Sequence, residues 1–350
     1  MARIAIVGAG AIGGLIAAKL ASAGHQLVLV ARGEHLQAIK ANGLTVLDQT
    51  PGSAGHSTTV RLPASDDAAD FGPQDAVFLC VKGPAIAGLL PRIRSLLAPQ
   101  TMVIPAINGL PWWYFCGDTV PTMISVAPTD APARESSSTP RRIACLDPKA
   151  TMFADLDSAH IIGCVVYLAA DLIRPGVIAH TAARKLVLGE LTNQPSERLT
   201  RLASWCTESG LDTQVSTNVR RDLWTKLVGN LSFNPVAALT GELMDKIVDN
   251  DDLLAIIRPM IDEGTAVAAA MGITIPVTTA QRIESARSIG PVRLSTLQDF
   301  DAGRRPELEG LLESVIELAQ WTGVAVPTIR QIAALLRAKA RSQGLLRHDG

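Results

Sequence analysis

Six residues near the start of the chain, Gly8-Ala9-Gly10-Ala11-Ile12-Gly13, constrain its fold more than any other stretch. Arg3 to Val7, just before them, is a short run rich in Ile and Val and reads as a buried strand. Ala11 to Ala23 reads as a helix with Gly24 placed to end it, and Gln26 to Val30 reads as a second strand. A GxGxxG sequence at the strand-to-helix turn of a βαβ unit is a dinucleotide-binding pattern. In it Gly8 makes the tight turn, Gly10 lets the backbone approach a pyrophosphate, and Gly13 lets helix and strand pack closely. The free N–H groups of the helix start, at Ala11 and Ile12, face the anion. Arg3 before an apolar run, with Ala21-Ser22-Ala23 beyond it, also imitates a secretory leader. Three glycines at dinucleotide spacing and a second strand directly after argue against that.

Arg32 bears on which dinucleotide the turn would hold. A unit built for NAD usually ends its second strand in Asp or Glu, which bonds the ribose 2′-hydroxyl. Here that position carries Arg32, then Gly33, and only then Glu34. A guanidinium can grip a 2′-phosphate through two N–H groups at once. The pattern therefore favours NADP(H).

With 350 residues the chain is long enough for two domains with large cores. A net charge of −1 gives no electrostatic footing for a nucleic-acid or membrane-surface partner. Apolar residues make up 47%, yet no run approaches the ~18–20 residues of a charge-free membrane span, so a soluble protein is expected. Cys80, Cys116, Cys145, Cys164 and Cys206 are odd in number, far apart and never paired as CxxC. That fits a reducing cytoplasm without disulfides, with Cys80 and Cys164 as apolar fillers of strands. The six histidines lack ligand spacing, and no metal site is expected.

Along the chain, Glu34 to Asn42 reads as a helix, followed by a short β region with a loop around residue 51. Ala76 to Val81 (AVFLCV) reads as a buried parallel strand ending in Lys82-Gly83-Pro84. A helix over about 85–97 and a strand over Thr101 to Ile107, ending in Asn108-Gly109, continue the alternation. This predicts an α/β fold with a Rossmann-type doubly wound parallel sheet. Ligands of such sheets lie beyond the carboxyl ends of the strands, where Lys82 and Asn108 stand. Pro111-Trp112-Trp113-Tyr114-Phe115 concentrates aromatics in a chain that is 4% aromatic. It either walls a site or fills a gap in a core. Gly117 to about Lys149 reads as a long surface loop. Ile161 to Leu168, Val177 to His180 and Lys185 to Leu188 read as a β-meander around the turn Arg174-Pro175-Gly176. Ser196 to Ser209 is an amphipathic helix, and Val215 closes the α/β part.

From about Asn218 the pattern turns helical, with helices over roughly 218–234, 252–271, 277–288, 306–322 and 328–342. The expected domains are thus 1–217, dinucleotide-binding, and 218–350, all-helical. Trp224, Leu227, Val228 and Leu231 form an apolar face, while Lys226, Asn230 and Asn234 recur as one polar stripe. An ammonium and two amides there can bind a carboxylate and a carbonyl oxygen. A helix with one wetted face would look the same. Gly229 leaves room for a close neighbour, and Pro235 reads as a helix end or kink. Leu294 to Asp299 and Gly303 to Glu307 form a polar connector; Glu307 in a first helical turn is commonly a dipole partner. Arg337, Lys339, Arg341 and Arg347 read as a solvated face.

Together these residues resemble the ketopantoate reductase (2-dehydropantoate 2-reductase) family, in a branch carrying the aromatic PWWYF segment. The likeness spans GAGAIGG at 8–14, Arg32, Val81-Lys82, Asn108-Gly109, LWTKLVGNLSFNP at 223–235, STLQDFDAGRRPELE at 295–309 and TGVAVP at 322–327. The K-xxx-N-xxx-N-P run joined to LQD-xxx-GR-xx-E is far more specific than the glycine motif. The resemblance implies that Lys226 is the catalytic lysine and Glu307 its acidic partner. It places Asn230 and Asn234 on the substrate, Lys82 and Asn108 near the nicotinamide and its ribose, and Arg32 on the 2′-phosphate. Where the family commonly has Ser before Met in SM-LQD, this chain has Thr296-Leu297 with Ser295 one place earlier, so both hydroxyls are candidates. The usual TEID reads Pro306-Glu307-Leu308-Glu309. The implied activity is NADPH-dependent reduction of 2-dehydropantoate to pantoate, a cytoplasmic step of pantothenate biosynthesis, with hydride to C2 and Lys226 as general acid. The implied partner is a small 2-oxo acid, and a homodimer is left open. A related NADP-dependent enzyme for another 2-oxo or hydroxy acid, or a non-catalytic NADP(H)-binding regulator, would use the same fold. Intact Lys226 and Glu307 favour an enzyme.

Overall fold

The computed structural model describes residues 1–53, 55–117 and 141–346. They form two compact units. One holds the described residues of 1–107, with 117 and 151–219; the other holds 108–116, 141–150 and 220–346. The expected single cut after residue 217 is therefore too simple. Asn108 to Cys116 belongs with the helices because Leu110, Tyr114 and Phe115 are buried in their core. Most of the loop expected over 117–149 lies outside the described residues.

The first unit runs β1 (Arg3–Val7), α1 (Ala11–Ser22), β2 (Gln26–Val30), α2 (Gly33–Asn42), β3 (Leu44–Asp48), β4 (Ser57–Val60), β5 (Ala64–Ser65), β6 (Ala76–Leu79), α3 (Ile86–Leu89) and β7 (Met102–Pro105). After the undescribed stretch come α4 (Met152–Asp155), β8 (Ile162–Arg174), β9 (Val177–Glu190), α5 (Glu197–Glu208) and β10 (Asp212–Val215). A parallel sheet has the order β5-β2-β1-β6-β7. β1 is central, and Ile4, Ala5 and Ile6 are fully buried, which is why it reads as an unbroken apolar run. The chain passes from β1 to β2 on one side and later to β6 on the other. The strand order therefore reverses at the carboxyl end of β1, the place where such sheets take ligands.

A second sheet, β10-β9-β3-β4 with β8 on β9, replaces the expected meander. β8 and β9 form one long antiparallel hairpin whose register slips near Leu168–Ala170 and Leu172–Arg174. Such bulges break the period-2 alternation that makes a strand legible in sequence. The helix expected over 85–97 is broken into 3₁₀ turns flanking α3, since Pro91 has no N–H to continue it.

The second unit contains α6 (Val219–Thr240), α7 (Met244–Val248), α8 (Asp251–Ala270), α9 (Thr279–Arg287), α10 (Ser295–Asp301), a π-turn (Glu309–Glu313), α11 (Ser314–Thr322) and α12 (Pro327–Ser342). α6 does not end at Pro235 but runs through it. Val236, Ala237 and Ala238 beyond it are buried, and that burial outweighs the ~3 kcal/mol that an interior proline costs. α7 and α10 are too short to display a helical period.

Trp112 to Phe115 form a 3₁₀ turn with all four rings buried. Tyr114 and Phe115 join the helical core, where Phe115 lies 5.7 Å from the Trp321 ring. Trp224 Nε1 donates to the Tyr114 hydroxyl at 2.7 Å, and the buried Arg220 donates through Nε to the Tyr114 carbonyl at 2.8 Å and through its terminal nitrogen to the Cys116 carbonyl. Burial lowers the pKa of Arg220 and raises that of the Tyr114 phenol. Of the two readings of the aromatic run, the fold takes the core one. The basic C-terminal helix also departs from expectation: Lys339 donates to the Ala238 carbonyl and Arg337 pairs with Glu313. Arg347 lies outside the described residues. Among the described residues no helix is long and apolar enough to cross a membrane.

Candidate active site

β1 delivers the chain into Gly8, whose φ is +97°. A Cβ there would lie 2.6 Å from the Cys80 carbonyl oxygen and 2.7 Å from Val81 Cγ1. Conformation and space both demand glycine. A Cβ at Gly13 would lie 2.1 Å from the Gly8 carbonyl oxygen and 2.8 Å from Cys80 Cβ, so α1 can seat this closely only without one. Gly10 differs. It has an ordinary φ of −65°, and a Cβ would meet nothing within 4 Å. Neither the chain's conformation nor its packing requires glycine at this position. The space over it lies at the open start of α1, where Ala11 and Ile12 present their backbone.

The Gly8 N–H donates to the Val30 carbonyl at 2.9 Å, tying the turn to the end of β2. Arg32 stands two residues on, exposed, and its guanidinium takes no partner among the described residues. Lys82 is half-buried just after Val81, the residue that packs on Gly8. Burial pushes the Cys80 thiol up to about 12, leaving it a neutral filler.

In the second unit, α6 carries Lys226, Asn230 and Asn234 on one stripe, the first two half-buried and Asn234 buried. The Lys226 ammonium donates to Asn108 Oδ1 at 2.6 Å, and Asn234 Nδ2 donates to Ser295 Oγ at 3.3 Å. Ser295 is exposed at the start of α10, whereas Thr296 is only 3% exposed and turned into the core. The structure therefore brings Ser295 to the stripe and not Thr296, because successive residues of a helix face different ways. Gly229 does admit a close neighbour: Arg282 lies along it, its Cδ 3.5 Å from where a Cβ would be, and donates to the Thr225 carbonyl.

Asn108 is held by its backbone. A Cβ at Gly109, where φ is +81°, would lie 2.3 Å from the Gly310 carbonyl carbon and oxygen, and the Leu110 N–H donates to that oxygen at 2.8 Å. Gly310 belongs to the π-turn, and Glu307 stands half-buried just before that turn. The segments carrying Asn108 and Glu307 thus meet at a glycine-to-glycine contact. A π-turn commonly marks a functional site.

Two contributors were not singled out from the sequence. His35 accepts the Gly176 N–H on Nδ1 at 3.0 Å, so Nε2 carries the proton and donates to the Ala9 carbonyl at 2.6 Å, bracing the glycine turn. A lone histidine in an exposed helix does not announce this. Asp299, nearly buried, accepts from Arg304 Nε at 3.1 Å and clamps the connector that leads to Glu307. The LQD-xxx-GR spacing could have suggested that pair.

A family model described as ketopantoate reductase PanE/ApbA matches residues 4–111, and the model of its C-terminal part matches 218–340. A protein of Mesorhizobium japonicum named 2-dehydropantoate 2-reductase is 37% identical, covering 98% of this chain and 99% of its own. A Ralstonia solanacearum protein assigned as a ketopantoate reductase has a crystal structure that superposes with a TM-score of 0.86 at 35% identity, covering 99% of this chain and 100% of that one. D-Mandelate dehydrogenase, solved with NADH and anilino(oxo)acetate, is 20% identical with a TM-score of 0.79, covering 98% of this chain and 100% of that one; it shares the fold.

Proposed function

The chain belongs to the ketopantoate reductase family, and on that premise we propose that it reduces 2-dehydropantoate to pantoate with NADPH. The observation that carries the proposal is the 2.6 Å bond from Lys226 to Asn108, made on the same stripe that presents Asn230 and Asn234. A nicotinamide cofactor fits the residues of the first unit. The empty space over Gly10 and the start of α1 would take its pyrophosphate, with Gly8, Ala11, Ile12 and Gly13 shaping the turn. Lys82 and Asn108 would attend the nicotinamide and its ribose.

When bound, NADPH supplies a hydride to the C2 carbonyl; that chemistry is the cofactor's own. The chain's residues handle the oxygen. Lys226, its ammonium aimed by Asn108, donates a proton to the oxygen of C2 as charge develops there. Glu307 orients Lys226 or a substrate hydroxyl. Asn230, Asn234 and Ser295 hold the 2-oxo acid. The test is loss of NADPH absorbance on adding ketopantoate to the purified protein, with NADH as control. Rapid loss with NADPH alone is expected. Binding of NADPH without turnover of ketopantoate or of a panel of other 2-oxo acids would sink the enzymatic reading.

Arg32 sets the second expectation. Its exposed guanidinium would lie on the 2′-phosphate, and hydrogen bonds to charged groups are worth about 1.5–3 kcal/mol. Arg32→Ala should therefore weaken NADPH binding by about 10–100-fold and leave NADH binding unchanged, read by fluorescence titration. An equal loss for both cofactors would remove Arg32 from the 2′-phosphate.

A further inference from the structure

The helical unit carries a half-open cavity of about 970 Å³ to which Arg305, Arg330, Arg337 and Arg341 all contribute. Glu309 and Glu313 also line it. Four guanidiniums face two carboxylates, so the lining is net positive in a chain whose overall charge is −1. Arg305 pairs with Glu309 and Arg337 with Glu313, each arginine side chain remaining 52% and 32% exposed. Ion pairs this open to water are weak and exchange readily for a stronger anion. Leu308, Ile316 and Leu345 add apolar lining, the first two as buried residues of the helical core. None of the residues assigned to the reduction lines this cavity.

We propose that this arginine-lined cavity is a second ligand site, for a small molecule that joins a phosphate or pyrophosphate to an apolar or aromatic body. The charge selects the phosphate, and the apolar part of the lining selects the body joined to it. Planar guanidiniums match phosphate oxygens in a two-pronged way that lysines do not. A volume near 970 Å³ suits a ligand of nucleotide size. Part of the lining comes from α12, at Arg330, Arg337 and Arg341, and part from the π-turn, at Glu309 and Glu313. Arg305 comes from the non-helical connector before the π-turn.

The probes are inorganic pyrophosphate and phenyl phosphate, titrated calorimetrically into the full-length protein at physiological salt. Both should bind, and phenyl phosphate should bind more tightly than inorganic phosphate measured alongside. In the double variant Arg330→Ala/Arg341→Ala both affinities should fall at least tenfold, with the melting transition retained. Arg32→Ala should leave them unchanged, which separates this site from the glycine turn. Absence of binding to the parent protein would overturn the proposal. So would affinities that survive the double variant, or that are lost in Arg32→Ala instead. Reduction of ketopantoate is not part of this test, so the result is independent of the proposed catalytic activity.

Discussion

Lys226→Ala is expected to lower kcat by about 10²–10⁴-fold, the usual contribution of a positioned acid, with little loss of NADPH affinity. The split follows from where the residue sits. Lys226 is on α6 of the helical unit, and the glycine turn and Arg32 are on the other unit. Alanine is a better helix former than lysine, and Lys226 is only half-buried, so the variant should fold. Lys226→Arg sharpens the result. It keeps the positive charge beside Asn108 but does not release its proton at any ordinary pH. If Lys226 serves only as a charge, the arginine variant will recover most of the activity. If it serves as an acid, both variants will be slow. Stopped-flow turnover with cofactor titration reads both quantities, and an alanine variant with undiminished kcat would take Lys226 out of the mechanism.

Gly109→Ala is expected to be the most damaging single methyl group in the helical unit. It meets two penalties at once. A residue with a Cβ at φ +81° costs about 1–2 kcal/mol. The Cβ would also sit 2.3 Å from the Gly310 carbonyl carbon and oxygen, so backbone has to move. The expected loss of stability is about 2–3 kcal/mol, within the usual range for strained backbone sites. Asn108 is the next residue, so its hold on Lys226 should loosen and kcat should fall more than KM rises. Gly303→Ala is the matched control. Its φ is +61° but nothing lies within 4 Å of a Cβ, so it carries the conformational penalty alone. Equal effects of the two substitutions on chemical denaturation and on kcat would refute the claim that the glycine contact positions Asn108.

The parts of this protein that were legible in its sequence are those whose cause is local. The glycine turn is readable because steric demands at Gly8 and Gly13 act over a few residues. The stripe of Lys226, Asn230 and Asn234 is readable because helical period is a local property. The contact that turns this stripe into a site is not local: Asn108 and Lys226 are 118 residues apart. Nothing in either neighbourhood states that they meet. The aromatic run could not be assigned to wall or core for the same reason, since its partners Arg220, Trp224 and Trp321 come from much later in the chain. Of the two readings of Pro235, the helix end was overruled by burial beyond it. Ser295 and Thr296 were inseparable in sequence because their difference is a rotation about a helix axis too short to predict.

The π-turn at Glu309–Glu313 makes chain length itself a constraint. A π-turn closes i→i+5 bonds and so accommodates a residue that an α-turn would not. Deleting one residue there other than the buried Leu311 and Leu312 would let the segment relax into ordinary helix, with no side chain lost from the interior. Everything upstream, Glu307 included, would then be rephased against α11 by about 100° and about 1.5 Å, one residue's step along a helix. Gly310 could no longer meet Gly109, although every side chain assigned to the reaction would still be encoded. Among relatives, then, a shared catalytic set is not enough to infer a shared site: the count of residues between Glu307 and α11 has to match as well.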